Sequence, residues 1–316
     1  MQNLDSFINK NQIKILFLIF VIAYTIRSLI YYFYASYIYL PDSNNYIAEA
    51  IQLLAFDYKN KLNMFEITMP GYSLLMCIPT LIEIFISPLI NFNNLFSVLS
   101  VNDYNNEYIY SIKNKAFVID NVFSSAIPII IYLISNEIFK DKIVSIIALL
   151  ASCLYPVSIF YSIAILTENF FMFFLLIGIY FFLKKKYYLS YFLFVVTILI
   201  RPTFELAIPV VILFHFIIFD RKKLFSNLFV YILIYIILMS PWWCFNYIKY
   251  DSFVRLHPTV GFMLYSGNNE LNKTGGGIIN SDFKIDNMKE RKRINPILFD
   301  NVLKKKAFEY IINNKI

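Results

Sequence analysis

A chain of 316 residues that is 59% hydrophobic and only 16% charged, with a mean hydropathy of +0.61, is not a soluble domain, because soluble domains carry roughly 25% charged residues. The formal net charge of +7 does not point to nucleic acid, since much of it falls in short clusters beside apolar spans, where it sets membrane orientation. The three cysteines, Cys77, Cys153 and Cys244, sit in apolar or aromatic surroundings without metal-ligand spacing, so they read as packing residues and no disulfide framework is expected. The fold class implied is all-α: a polytopic helical membrane protein.

Residues 1–12 are polar, and 13–34 form a first span. It is too long and too aromatic for a cleaved signal peptide, so a retained helix is expected. Lys10 and Lys14 favour a cytoplasmic N-terminus. Arg27 interrupts the span, as a snorkelling or bundle-facing residue. Tyr31, Tyr32, Tyr34, Tyr37 and Tyr39 look like an aromatic belt at the far interface, which leaves Asp42 just outside. A helix starting there places Asp42, Tyr46 and Glu49 on one face. Ile47, Ile51 and Leu54 fall on another, which suits a helix lying along the membrane surface. Asp42 is then an N-cap, a catalytic carboxylate, or both.

Residues 70–100 are apolar but broken by Pro70, Pro79 and Pro88, with Glu83 inside. Residues 101–115 are polar. Further spans are expected at 116–138, 143–161, 169–183, 187–200, 203–219 and 224–241, the last stopping at Pro241, Trp242 and Trp243. The division that follows is a transmembrane domain over 1–241, with a first external loop of surface-lying helices over 35–115. Residues 242–316 form an extracytoplasmic loop or tail.

Basic clusters fix the orientation. Lys184, Lys185 and Lys186 lie two spans from Arg221, Lys222 and Lys223, so both clusters share a side, and the positive-inside rule makes it the cytoplasm. Alternation puts Glu168, Arg201 and Trp242 on the other side, and Lys140 and Lys142 inside. Residues 70–115 must then cross an even number of times. Three prolines favour zero crossings, as a re-entrant or surface-lying segment. Asp42, Glu66, Glu168 and Arg201 thereby reach one non-cytoplasmic face from four parts of the chain.

Ionisable groups at such a face are functional candidates, but each has a plainer role to weigh. Thr167 and Glu168 form a helix cap with a dipole-favoured acid. Arg201 anchors at the interface, paired with Glu205 four residues on. Glu66 is solvated charge, and Asp120, a turn from the outer face, is solvated there. Trp242 and Trp243 are belt residues. His215 is a satisfied bundle contact, His257 has no evident partner, and the run Gly275, Gly276, Gly277 is a flexible turn.

Several stretches, taken in order over residues 35–270, resemble one family: PDSNNYIAEA, MPGYSLL, ISNEIFKDK, LYPVSIFYSIAILTENFF, LIRP, and PWWCFNYIKYDSF followed by SGNN. Together they resemble the GT-C superfamily of membrane glycosyltransferases, in the branch of protein O-mannosyltransferases and lipid A aminoarabinose transferases. That resemblance implies a GT-C-like transmembrane bundle in the cell (inner) membrane. It also implies a sugar donor carried on a polyprenyl phosphate, an extracytoplasmic active site and inversion at the anomeric carbon. The acceptor is a lipid, a glycan or a protein. The family's catalytic acid falls on Asp42, with Tyr46 on the same face as a substrate contact. The basic residue that meets the lipid phosphate falls on Arg201. Glu168 matches the second-loop acid and Glu66 the acid before the proline turn; in some members these two hold a divalent metal. Lys115 is nearest to a further basic residue of the family. The sequence departs from the pattern at Met69-Pro70, where two prolines are usual. Family members also continue with further spans, whereas this sequence stops at KKKAFEYIINNKI, so a truncated or split frame is an expectation too.

The chemistry has an independent basis. Attack on a lipid-phosphate sugar needs a base for the acceptor hydroxyl and a cation beside the departing phosphate. Arginine suits phosphate through its planar fork. Competing readings are a lipid or solute transporter, which predicts inverted repeats and broken helices near mid-membrane, and a non-catalytic remnant.

Overall fold

The computed structural model describes residues 2–34, 40–55, 68–86, 106–218, 221–257, 259–270, 272 and 296–314. Among them every regular element is helical. In chain order these are α1 (Gln2–Tyr34), α2 (Pro41–Ala55), α3 (Pro70–Ile86), α4 (Asn106–Phe139), α5 (Lys142–Cys153), α6 (Pro156–Ile163), α7 (Glu168–Leu183) and α8 (Tyr187–Ile200). A 3₁₀ turn (Pro202–Ala207) leads into α9 (Ile208–Ile218), then α10 (Arg221–Tyr250), α11 (Val260–Gly267) and α12 (Pro296–Asn313). The chain divides into two compact units, residues 1–64 with 70–236, and residues 65–69 with 237–316.

Among the described residues three helices are long and apolar enough to cross a membrane: Asn11–Tyr34, Ile112–Phe139 and Lys223–Tyr250. A fourth crossing is possible from α5 and α6 together, which are bent by 45° at their junction. The expected straight span over 143–161 is therefore broken. Pro156 explains the break: it lacks an N–H and its ring collides with the carbonyl four residues back, so the chain restarts as a new helix with Pro at its first position. The helices α7, α8 and α3 have 16, 14 and 17 residues. At 1.5 Å per residue they are shorter than a hydrocarbon core of about 30 Å. Of the expected zero-crossing segment 70–100, residues 70–86 form α3, with Pro70 at its start and Pro79 inside; Pro88 lies outside the described residues. Residues 106–115, expected as polar loop, are the first three turns of α4.

Contacts between helices set their directions. Asn121 of α4 donates to the Tyr24 carbonyl at 3.3 Å and to Ser28 Oγ at 2.8 Å on α1, while Tyr31 donates to Asn114 at 2.7 Å. Later residues of α1 thus meet earlier residues of α4, and the two run antiparallel. A turn with a left-handed Lys140 and an Asp141 N-cap reverses the chain into α5. At the C-terminal ends of α4 and α7, Lys184 bonds Glu137 at 2.5 Å, so these two run in the same direction. The pair α7 and α8 is a tight antiparallel hairpin. Ser190 donates to the Gly178 carbonyl at 2.8 Å, and a Cβ on Gly178 would meet the Phe194 ring at 2.8 Å.

The core that positions the site is apolar and joins α2, α3, α4, α7 and α8. Ile47, Ile51 and Leu54 of α2 pack with Tyr72 and Met76 of α3, Ile112 of α4, Phe170 of α7 and Ile200 of α8. The apolar face of α2 is therefore covered by other helices. Elsewhere the apolar surface is bare: Phe225, Phe229, Ile232 and Leu233 of α10 are all exposed, as suits a helix surrounded by hydrocarbon and not by water.

In the second unit, the indole N–H of Trp242 donates to the Leu256 carbonyl, and that of Trp243 to the Arg255 carbonyl at 2.8 Å. Both tryptophans tie down the loop that follows α10. The carboxylate of Asp300 on α12 accepts from the Gly261 and Phe262 backbone N–H groups, each at 2.8 Å, and so caps α11.

Candidate functional site

Residues from α2, α7 and α8 build the site. Arg201 ends α8 because Pro202 follows it. A residue before proline is pushed out of the helical region, and Arg201 is extended, with φ −140° and ψ 103°. Glu168 opens α7, in the first turn, where the helix dipole favours an acid. The antiparallel hairpin brings these two ends together, and Arg201 Nη1 lies 3.1 Å from Glu168 Oε1. The guanidinium also rides over the Phe171 ring, 5.9 Å from its centre. Glu205, the alternative partner for Arg201, instead accepts from the Tyr235 hydroxyl.

Thr167 stands at the N-cap position of α7 but makes no side-chain cap bond. Its hydroxyl pairs with the Tyr46 phenol instead. Tyr46 is half-buried, and its pKa is pushed up to about 12. Burial is the main cause, since it penalises the phenolate. The Thr167 bond pulls the other way, and the charges of Asp42, Glu49 and Glu168 add to the rise. One turn before Tyr46, Asp42 is exposed in the first turn of α2. The helix begins at Pro41, so Asp42 lies within it and not in front of it as a cap. Ser43 fastens the same turn by donating to the Ala164 carbonyl at 2.5 Å. On the third expected position, Glu49 is fully buried and accepts from Ser73 of α3 at 2.7 Å.

A cavity of about 640 Å³ opens beside the ion pair. Its walls are apolar residues of α4, α5 and α7, including Ile127, Ile131, Ala148, Ala151 and Met172. Glu168, Asn169 and Arg201 supply the polar lining, with Ser158 and Tyr161 of α6. One oxygen of Glu168 is engaged by Arg201, while Oε2 is buried and has no hydrogen-bond partner among the described residues. The arrangement is an apolar slot closed by one fixed cation and one carboxylate.

Of the residues expected from the sequence, Glu168 and Arg201 pair at the slot, Tyr46 meets Thr167 at the start of α7, and Asp42 stands one turn before Tyr46, outside the residues that line the slot. Lys115 stands on α4, partly exposed, among residues Ile112 and Ala116 that pack toward α2. Glu66 lies outside the described residues. Among the described residues no group of three metal-ligand side chains forms, and Glu168 offers one free oxygen to such a role.

The expectations for Asp120 and His257 did not hold, whereas those for Arg27 and His215 did. Asp120, expected to be solvated, is fully buried, with Tyr72 Oη 3.4 Å from its Oδ2. The signal was in the sequence: Asp120, Asn121, Ser124 and Ser125 form a polar run within an apolar span, and all four face the bundle. Arg27 is equally buried, and so bundle-facing. His215, expected to be a satisfied contact, bonds the Tyr191 hydroxyl at 2.5 Å and the Val211 carbonyl at 2.6 Å. His257 acquires a partner, Thr259 Oγ1, at 2.9 Å.

Comparison of the chain with protein-family models, with curated proteins and with solved structures finds no match.

Proposed function

We propose that this chain is a GT-C-type membrane glycosyltransferase that moves a sugar from a polyprenyl-phosphate donor to an acceptor hydroxyl with inversion. The observation that carries the reading is the apolar slot of about 640 Å³ closed by Arg201 and Glu168. Such a slot suits an amphiphile whose hydrocarbon lies in the bilayer and whose anionic head meets a guanidinium. Arg201 spends one N–H on Glu168 and retains others for phosphate.

In the reaction, the acceptor oxygen attacks the anomeric carbon. The bond from that carbon to the phosphate oxygen breaks, and the lipid phosphate leaves with its charge held by Arg201. The acceptor proton passes to Asp42, which is exposed and free to meet an acceptor. Tyr46 stays protonated at neutral pH and can donate a hydrogen bond to the sugar. A divalent ion fits only in part, since Glu168 Oε2 supplies one ligand. If such an ion acts there, Glu168→Gln lowers transfer and added metal partly restores it.

The test is transfer from a labelled polyprenyl-phosphate sugar by the purified chain in lipid nanodiscs. Asp42→Asn is expected to reduce transfer by about 100- to 10,000-fold, as loss of a general base does, while donor binding persists. Near-normal transfer by Asp42→Asn sinks the catalytic assignment. The 45° break between α5 and α6 favours a second reading, a lipid or solute transporter, because broken helices line transport sites. Donor translocation across proteoliposomes without sugar transfer supports that reading over the first.

A further inference from the structure

The first unit contains a second cavity, on α7, α8 and α9, that shares no lining residue with the slot. It holds about 430 Å³, and every residue that lines it is apolar. Leu175 and Leu183 of α7 mark its extent along that helix, Phe194 of α8 lies in its wall, and Val210 and Phe214 of α9 are exposed at its open side. From Leu175 to Leu183 the helix rises about 12 Å at 1.5 Å per residue. One leaflet contributes about 15 Å to a hydrocarbon core of about 30 Å. The cavity is thus close to one leaflet deep.

Its end lies beside a basic turn. Lys184, Lys185 and Lys186 follow Leu183 directly, and all three are exposed. The backbone N–H of Lys185 donates to the carbonyl of Phe182, a lining residue, at 3.0 Å, so this turn stays folded against the end of α7. Glu137 takes up Lys140 at 2.9 Å and Lys184 at 2.5 Å. Lys185 and Lys186 form no ion pair among the described residues. Two positive charges are therefore left without an anion next to an apolar cavity. Unfilled, such a cavity forfeits dispersion contacts along its whole lining. A purely apolar ligand fills it but leaves the lysines unmatched, and a zwitterionic lipid brings a cation of its own to them. A bilayer lipid with an acidic head matches both parts, as basic pockets between membrane helices do elsewhere. We propose that this cavity binds an acidic phospholipid, with one acyl chain among α7, α8 and α9 and the phosphate at Lys185 and Lys186.

The inference does not depend on the proposed activity. Its test is photolabelling of the full chain in phosphatidylcholine nanodiscs that carry a trace of lipid with a diazirine midway along one acyl chain. The photoactive lipid is phosphatidylglycerol in one arm and phosphatidylcholine in the other, and labelled positions are read by peptide mass spectrometry. The ratio between the two arms at each position cancels the intrinsic reactivity of the side chain. That ratio is expected to be several-fold above unity within residues 175–183 and 204–214. It is expected to be close to unity at Ile232, Leu233 and Ile236, exposed residues of α10 outside the cavity. In the double variant Lys185→Gln with Lys186→Gln, which alters exposed side chains only, the cavity ratio is expected to fall to the α10 value. Equal ratios at the cavity and at α10 in the unmodified chain overturn the proposal, since bulk lipid then accounts for all of the labelling. A cavity unlabelled by either lipid overturns it as well. So does a double variant that keeps the high ratio, because the lysines then do not hold the head.

Discussion

Arg201 shows how much of the candidate site rests on side-chain shape. Its guanidinium reaches Glu168, covers Phe171 and faces the slot at once. A lysine keeps the charge but not the planar fork. Arg201→Lys is expected to weaken donor binding and transfer while leaving the amount of folded protein unchanged. An unchanged donor affinity, measured by titration, would reduce Arg201 to an interfacial anchor. Tyr46 makes a separate prediction at the same scale. Its folded pKa of about 12 lies above the ordinary tyrosine value of 10.0. The unfolded chain therefore releases the phenolic proton first as pH rises. Stability that is fully present below pH 10 is lost progressively as pH climbs through about 12. Thermal unfolding across this range should show a steeper alkaline loss in the unmodified chain than in Tyr46→Phe. Parallel curves for the two would remove the burial argument for Tyr46.

Helices meet closely here at small residues. Gly71, in the first turn of α3, leaves no room for a side chain: a Cβ would lie 2.6 Å from the carbonyl carbon and oxygen of Leu199 at the end of α8. Backbone cannot step aside as a flexible side chain can. Gly71→Ala is expected to lower stability by about 1–3 kcal/mol, the usual range for overpacking. It should also disturb Arg201, two residues beyond Leu199, so transfer should fall with it. A melting temperature equal to that of the unmodified chain would show that α3 and α8 are not in such contact. The break between α5 and α6 was written in the sequence at Pro156 but hidden by the continuous hydropathy around it. Hydropathy averages over a window, whereas a missing N–H acts at one residue.

For the molecule as a whole, composition and basic clusters lead to one orientation. The N-terminus and Lys185 should be cytoplasmic, and Asp42, Glu168 and residues 242–316 outside. Single cysteines at positions 42 and 185, in a background lacking the exposed Cys244, should react with impermeant thiol reagents from opposite sides. Labelling of both from the same side would reject the orientation and with it the extracytoplasmic site.

The sequence by itself determined that the chain is helical and carries segments apolar enough for a membrane, because length and apolar composition of a segment are local properties. It also indicated that Glu168 and Arg201 stand at the same end of two neighbouring apolar segments, since counting segments needs only the order of the chain. Their 3.1 Å pairing was decided by how tightly α7 and α8 pack around Gly178. Tertiary structure alone decided which polar residues are covered. Periodicity assigns Asp120 to a face of its helix but does not say that α1 and α3 close over that face. The same holds for Glu49 with Ser73 and for Tyr191 with His215. In each case the partner lies 24 residues or more away, and only folding brings it within reach of a hydrogen bond.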